Sequence, residues 1–591
     1  MAKEKDLLAS VSDISTESEF FSPIPAGYKK GKTRYVFVMG TVMSGLGKGI
    51  FSSCLAKLMQ DKGLKVAPIK LEGYLNIDSG TLNPFRHGEV FVLDDGMECD
   101  MDLGTYERML DMDLSRANFT TSGQIFNSVL NKERHGDYLG RDVQMIPHVT
   151  GEVKLKLRQL AAKTNADIVF VEIGGTAGDL ENAYFIEATR ELAYEEGPNS
   201  SCFVALTYIL EPPTLGEQKS KAAQLGIKQL MQLGIQPDII ACRATHPVSD
   251  KAREKISVYS NVPLERVVSV PDSASIYMIP AMLRDASLDF EVLRLLKIED
   301  RINLRHERKA WAKWCDFTDK IDAMNRRINI GITGKYTTVR DSYASIINAL
   351  EHAGTALDCK IEIKWIETTG ITNENVAENL ADVDGIIVPG GFGTRGAEGK
   401  IACIKYAREN NLPYLGLCFG FQMAVIEFAR NVCGIKQASS TEIEPNCPEP
   451  VIDILPEQKE IEGLGGNMRL GGQDIELKQE TLAWGLFGKA SSIRMRFRHR
   501  YEVAPRYIER FEKEGLVFSG KAPNQPIMQI LELPGHPFFM GTQAHPCLTS
   551  RPLRPQPMFA GLVATAIQKR YGNEKLPDWI KTVQKVCKQD N

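Results

Sequence analysis

No uninterrupted apolar run in these 591 residues approaches the roughly 20 that a membrane-spanning helix needs, which argues against a helical membrane protein. The N-terminal stretch MAKEKDLLASVSDISTESEFFSP is polar and acidic and lacks an apolar signal-peptide segment, so no secretory signal is expected. Among the 12 cysteines there is no CxxC pair, which excludes the commonest zinc spacing. Their scatter along a long chain fits a reduced, cytoplasmic compartment rather than a disulfide framework. The formal net charge is only −4, the wrong sign for a bulk nucleic-acid surface. No short repeat or low-complexity block stands out. What remains is an ordinary soluble composition, 43% hydrophobic and 25% charged. A chain of this length exceeds one hydrophobic core, so two domains plus extensions are expected.

Residues 1–31, rich in Ser, Glu, Pro and Lys, read as a flexible tail. From Tyr35 onward short apolar runs alternate with helical stretches: YVFVMG, KVAPIKL, ADIVFVEIGG, CFVALTYIL and PDIIACRA. Apolar throughout, such runs read as buried parallel strands, and the alternation implies a doubly wound α/β sheet over 32–296. Residues 297–327 are charged and helix-prone, an interdomain helical linker or a solvated helix of either neighbour. A second α/β series opens at INIGITGKY and runs through KIEIKWIE and GIIVPGG, giving a second doubly wound domain over 328–572 and an extension over 573–591.

The segment PYLGLCFGFQMAVIEFARNV places Cys418 between an apolar run and a helix-like stretch, with Gly416 and Gly420 on either side. This is the cysteine counterpart of the strand–nucleophile–helix elbow. A helix N-terminus is expected to lower the thiol pKa and favour the attacking thiolate. Upstream, IIVPGGFGTRG empties a strand into a glycine loop at Gly390 and Gly391, whose backbone N–H groups suit an oxyanion. Downstream, GTQAHPC supplies His545 as a base. A buried structural cysteine is the bland alternative, and three matching parts in this order weigh against it.

Near the other end, YVFVMG opens into GTVMSGLGKGIFSSCLAKLMQ, helical after Lys48. Glycine-rich strand-to-helix loops offer N–H groups and a positive dipole end to phosphates, here from Ser44, Gly45, Gly47 and Gly49. Lys48 would reach a β- or γ-phosphate. Gly49 stands where the usual P-loop has Ser or Thr, so magnesium would need other ligands. Asp102 and Glu172 are the acidic candidates, and Lys70 is a second cation at a strand end. A glycine turn alone is a weak signal; the lysines and carboxylates together favour a nucleotide.

The Cys418 elbow, the glycine loop and His545 resemble class I glutamine amidotransferases, which release ammonia from glutamine. GTVMSGLGKGI, HGEVFVLDDGMECDMDLGTYER, KERHGDYLG, VQMIPHVT, VEIGGTAGDLE and GEQKSK resemble the CTP synthase family, and the likeness runs from about residue 34 to 570. The family joins an N-terminal amidoligase domain to a C-terminal glutaminase domain. The resemblance implies ATP-dependent amination of UTP to CTP with Mg²⁺, with GTP as an allosteric activator and CTP as a feedback inhibitor. It also implies a homotetramer able to form filaments, with no nucleic acid or membrane as partner. By motif match, Lys48 and Lys70 serve the ATP phosphates, Asp102 and Glu172 hold magnesium, and Arg243 lies near the adenine. Asp179, Glu181, Lys219, Lys221, Gln224 and Lys255 match the pyrimidine nucleotide site. Pro84, His87 and Val90 match the ammonia route. Gly391 matches the oxyanion hole, and Gln422, Glu442 and Arg500 match the grip on glutamine.

Four motifs depart from the family pattern. Cys547 stands where the triad glutamate is expected; Ala222 and Ala223 replace a proline and a threonine; KLEGY replaces KxDPY through Glu72 and Gly73; and Phe497 replaces a histidine. The leading expectation is a glutamine-dependent CTP synthase. The alternatives are an ammonia-dependent or altered-substrate paralogue with an impaired glutaminase, and a non-catalytic nucleotide-binding scaffold. A simple P-loop ATPase is a fourth reading that the attached glutaminase segment disfavours.

Overall fold

The computed structural model describes residues 21–214, 216–335, 340–454, 468–572, 576 and 578–588. Most of the expected N-terminal tail (1–20), and part of the expected C-terminal extension, therefore lie outside the described residues. Two compact units make up the chain: residues up to Thr81 with Thr105–Lys313, and Leu82–Gly104 with Trp314 onward.

The first nine strands are β1 (Arg34–Gly40), β2 (Val66–Glu72), β3 (Val90–Val92), β4 (Glu98–Asp100), β5 (Phe119–Thr121), β6 (Ile168–Ile173), β7 (Ser201–Tyr208), β8 (Ile239–Ala244) and β9 (Val267–Pro271). All but β3 and β4 belong to the first unit, as one parallel sheet in the order β5-β2-β6-β1-β7-β8-β9. Every residue of β6 is buried, as are six of the seven in β1, so the apolar runs are covered on both faces. The strand order reverses beside β1, and the β1 turn leads into the helix Lys48–Asp61 at the carboxyl edge, where α/β sheets bind ligands.

Residues 21–31, expected as part of the tail, lie against this unit. Phe21 packs on Tyr138 and His148, Arg158 bonds the Ser22 hydroxyl at 3.0 Å, and the hydroxyls of Tyr28 and Tyr35 meet at 2.8 Å. Aromatic and buried ionic partners offset the entropy of ordering this stretch.

The second unit contains β10 (Arg326–Gly334), β11 (Cys359–Glu367), β12 (Gly385–Val388), β13 (Tyr414–Leu417), β14 (Ala438–Ser440), β15 (Glu449–Asp453), β16 (Arg469–Leu477), β17 (Ser492–His499), β18 (Glu502–Val503), β19 (Val517–Lys521), β20 (Met528–Glu532) and β21 (Phe539–Thr542). Its main sheet runs β11-β10-β12-β13-β21-β20-β19-β16-β17. The first five strands are parallel; β20, β19, β16 and β17 then extend the sheet in antiparallel fashion. The doubly wound expectation therefore describes the parallel half that carries Cys418, and an antiparallel wing is added to it.

The β3–β4 hairpin belongs to this second unit although it lies far upstream in sequence. Arg494 grips Asp94 through Nε and a terminal nitrogen at 2.9–3.1 Å. Arg498 Nε meets Glu98 Oε1 at 2.6 Å, and Arg496 donates to the Val92 carbonyl at 3.1 Å. These alternate arginines of β17 point to one face, as the period of a strand requires. Of the segment expected as a linker, residues 304–323 form one helix, and the division between the units falls inside it after Lys313.

Candidate active sites

At the end of β13 the chain turns through Cys418 at φ 49°, ψ −101°, and the helix Phe419–Asn431 follows at once. Positive φ is costly for a side-chain-bearing residue, about 1–3 kcal/mol, and is retained where geometry demands it. The Cys418 N–H donates to the Thr542 carbonyl at 2.7 Å, fixing the elbow between β13 and β21. Gly420 is needed for close approach: a Cβ there would overlap the Val388 carbonyl oxygen at the end of β12. Gly420→Ala should accordingly cost about 3 kcal/mol, read as a fall of several degrees in the thermal midpoint by calorimetry.

Gly390 lies beside both reacting side chains. A Cβ on it would stand 3.1 Å from His545 Cε1 and 3.7 Å from Cys418 Cβ. Cys418, His545, Gly390 and Gly391 line a cavity of ≈ 120 Å³ that also reaches Pro84, Val90, Arg498 and Cys547. His87, placed by motif beside Pro84 and Val90, lies outside this lining, exposed at the end of the short helix Pro84–His87.

The electrostatics overturn one expectation. Instead of the helix N-terminus holding Cys418 as thiolate, burial pushes the thiol up to about 12, with the Glu442 carboxylate acting in the same direction. Burial pushes His545 down to about 3, and Arg498 and His499 add to the fall. The pair therefore rests as thiol and neutral imidazole. His545 Nε2 is buried with no hydrogen-bond partner among the described residues. The expected triad carboxylate would have satisfied such a nitrogen; Cys547, 2% exposed, occupies its sequence position.

Gln422 is buried, donates to the Tyr501 carbonyl at 3.1 Å, and its Oε1 has no partner among the described residues. Glu442 accepts the Gly393 N–H at 3.0 Å. Burial raises its pKa, while Lys335 and Arg500 oppose that rise, so Arg500 and Glu442 share one neighbourhood. Lys400, absent from the sequence reading, is buried under the glycine loop and donates to the Pro389 carbonyl at 3.0 Å. Burial lowers it to about 7.

In the first unit, the loop after β1 uses positive φ at Gly45 and Gly47, and the helix starts at Lys48. Ser44 and Gly45 are exposed; Gly49 is buried in the first turn. Lys48 Nζ donates to the Gly175 carbonyl at 2.6 Å. Lys70 Nζ lies 3.5 Å from both Glu72 Oε2 and Glu172 Oε1, and Tyr106 donates to Glu172 Oε2 at 3.3 Å. Two lysines and two carboxylates thus converge at the carboxyl ends of β1, β2 and β6. Hard oxygen donors of this kind suit Mg²⁺, which takes few protein ligands and completes its shell with phosphate and water. No group of three His, Cys, Asp or Glu forms a ready-made metal cage among the described residues. Asp102 stands in the first turn of the helix Met101–Leu110.

Lys219, Lys221, Gln224 and Lys255 line one pocket of ≈ 380 Å³, together with Lys251 and Glu217. Its lysines suit a polyanion. Asp179 and Glu181 do not line it: Asp179 accepts the Thr176 N–H at 2.7 Å, and Glu181 is exposed in the next turn. Arg243, at the end of β8, donates to the Val270 and Pro271 carbonyls at 2.8 and 3.0 Å and pairs with Asp272 at 2.8 Å.

Comparison with known proteins agrees with both halves of this arrangement. A family described as CTP synthase N-terminus matches residues 34–298, and one described as glutamine amidotransferase class-I matches residues 338–565. A Pyrococcus horikoshii CTP synthase is 50% identical over 544 residues, 92% of this chain and 99% of that one. A Staphylococcus saprophyticus CTP synthase is 44% identical over 535 residues, 90% of this chain and 99% of that one. The solved glutaminase domain of Trypanosoma brucei CTPS with bound acivicin is 34% identical and covers 41% of this chain and 95% of its own, with a TM-score of 0.39. With nearly half its residues shared along nine-tenths of its length, the chain belongs to the CTP synthase family.

Proposed function

We propose that the chain makes CTP from UTP, ATP and ammonia, and that the ammonia comes from glutamine hydrolysed at Cys418. The observation that carries this reading is the pairing, in one chain, of the Cys418–His545 elbow with the Lys48, Lys70 and Glu172 cluster at a parallel sheet's carboxyl edge.

At the glutaminase elbow, Cys418 Sγ attacks the glutamine carboxamide carbon while His545 takes the thiol proton. The Gly390–Gly391 backbone faces the oxyanion, and His545 returns the proton to the departing ammonia. Water then cleaves the thioester, releasing glutamate and restoring the thiol. Gln422, Glu442 and Arg500 would hold the amino-acid end, whose ammonium and carboxylate suit Glu442 and Arg500. Pro84 and Val90 would border the departure of ammonia, with His87 further out.

At the amidoligase end, UTP O4 attacks the γ-phosphorus of ATP, ADP leaves, and ammonia displaces the phosphate from C4. Ser44, Gly45, Gly47 and Gly49 would cradle phosphates, and Lys48 and Lys70 would offset the charge developing on the transferred group. Glu172, beside Lys70, would help hold Mg²⁺, which would supply charge neutralisation to the phosphates. Lys219, Lys221, Gln224 and Lys255, with Asp179 and Glu181, would serve the pyrimidine nucleotide, and Arg243 the adenine. Family membership supports GTP activation, feedback by CTP, a filament-forming homotetramer and a cytoplasmic location. No helix among the described residues is long and apolar enough to cross a membrane.

The test is CTP formation from UTP, ATP and magnesium with glutamine or ammonium chloride as nitrogen donor. Product with both supports the whole reading; product with neither refutes it. Lys70→Met should lower the rate by ~10²-fold or more with either donor, because it removes a charge that the transition state uses. A fall with glutamine alone would show that Lys70 does not serve the phosphoryl step.

A further inference from the structure

Directly after β21, Gln543 is fully buried, and its backbone N–H is tied to the Gln529 carbonyl at 2.9 Å. Its side-chain Nε2 lies 3.6 Å from Cys418 Sγ, a hydrogen-bond distance for sulfur. Its Oε1 accepts from Gln422 Nε2 at 3.3 Å. The amide orientation is set by the network: Gln422 Nε2 also faces the Tyr501 carbonyl, so it must be a donor. Gln543 must then offer its oxygen to Gln422 and its N–H to the sulfur.

We infer that Gln543 is a thiolate-stabilising residue of the glutaminase, its N–H held on Cys418 Sγ by Gln422; this rests on the glutaminase reading above. A thiol accepts hydrogen bonds weakly and a thiolate strongly, so a fixed donor favours the ionised nucleophile. The other groups acting on the sulfur divide. Glu442 and Glu502 oppose ionisation, while Arg498, the Phe419 N–H and Lys400 favour it. His545 lies alongside with its Nε2 unpartnered. Gln543 contributes a neutral, directional donor where burial otherwise holds the sulfur protonated.

The experiment is the rate at which iodoacetamide alkylates Cys418 in the full chain across pH 7–10, read by mass spectrometry of the Cys418 peptide. Gln543→Glu keeps the shape but, when ionised, replaces the donor with a negative charge beside the sulfur, and should slow alkylation about tenfold or more, equivalent to a rise of one pKa unit. Gln543→Met should slow it several-fold. Gln422→Met leaves Gln543 in place but frees its amide, and should slow alkylation in the same direction by less. Ammonia-supported CTP formation reports that each variant is folded. Alkylation of Gln543→Met, which removes the donor without adding charge, within twofold of the unaltered protein overturns the inference. Slowing in Gln543→Glu alone reports the added charge and not the lost donor, and overturns it as well. If the unaltered protein makes no glutamate from glutamine, the glutaminase reading fails while the alkylation comparison still decides the role of Gln543.

Discussion

Cys418→Ser should abolish glutamine-supported CTP formation, by more than about 10⁴-fold, and leave ammonia-supported formation within about twofold. The asymmetry follows from where the residue lies. Cys418 closes β13 in the second unit, and its sulfur borders the cavity with His545 and the Gly390–Gly391 loop. Lys48, Lys70 and Glu172 belong to a separate sheet in the first unit. Serine fits the same φ 49° elbow and keeps the Thr542 contact, which is made by the backbone. A hydroxyl is far harder to ionise than a thiol, and this environment already pushes the thiol up to about 12. His545, held down to about 3, is a weak base with which to compensate. The measurement is CTP formation with each donor, alongside release of glutamate. Equal loss with glutamine and ammonia would refute the assignment of Cys418 to nitrogen supply.

Why some of this was legible and some was not comes down to locality. The elbow was readable because strand, cysteine, two glycines and helix lie within about ten residues, each with a short-range conformational reason. The same holds for the turn after β1 and the helix beginning at Lys48. Apolar runs announced β1, β2, β6, β7 and β8, whereas β5 and β9 are short and gave no comparable signal. Long-range pairing was invisible. Nothing local says that β17 carries Arg494, Arg496 and Arg498 on one face, or that Asp94, Val92 and Glu98 meet them across some 400 residues of chain. The antiparallel wing was missed for the same reason.

Electrostatics was the least legible. The helix N-terminus argued for a thiolate, yet burial, a sum over the whole neighbourhood, outweighs it at Cys418. Gln543 gave no signal because an amide becomes informative only when its partners are fixed, here Gln422 and the sulfur. Lys400 reads as an ordinary helical lysine until the helix Ala397–Glu409 packs it beneath the glycine loop. Motif matching assigned Asp179 and Glu181 together with the lysines, and neither carboxylate lines the Lys219–Lys255 pocket.

Cys547→Glu should raise glutamine-supported turnover by ~10²-fold or more and leave ammonia-supported turnover unchanged. The reason is the buried, unpartnered Nε2 of His545. A carboxylate two residues along would accept from that nitrogen, hold the tautomer, and stabilise the imidazolium formed when the thiol proton is taken. Burying a carboxylate is costly unless it is paired, and the imidazolium supplies the pair. Cys547 already borders the ≈ 120 Å³ cavity, which leaves room for the longer side chain. The sign of the pH effect follows from the two displaced groups. With the thiol pushed up to about 12, the thiolate fraction, and with it alkylation by iodoacetamide, should climb about tenfold per pH unit between pH 7 and 9 in the unaltered protein. In the variant, His545 rises from about 3 and the thiolate–imidazolium pair forms at lower pH, so the climb should flatten and the rate at pH 7 should increase. Cys547→Gln separates charge from shape, since it fills the same space with a neutral amide and should give neither the gain nor the flattening. If Glu and Gln gave the same ratio of glutamine- to ammonia-supported turnover, the missing charge beside His545 would not be what limits the glutaminase.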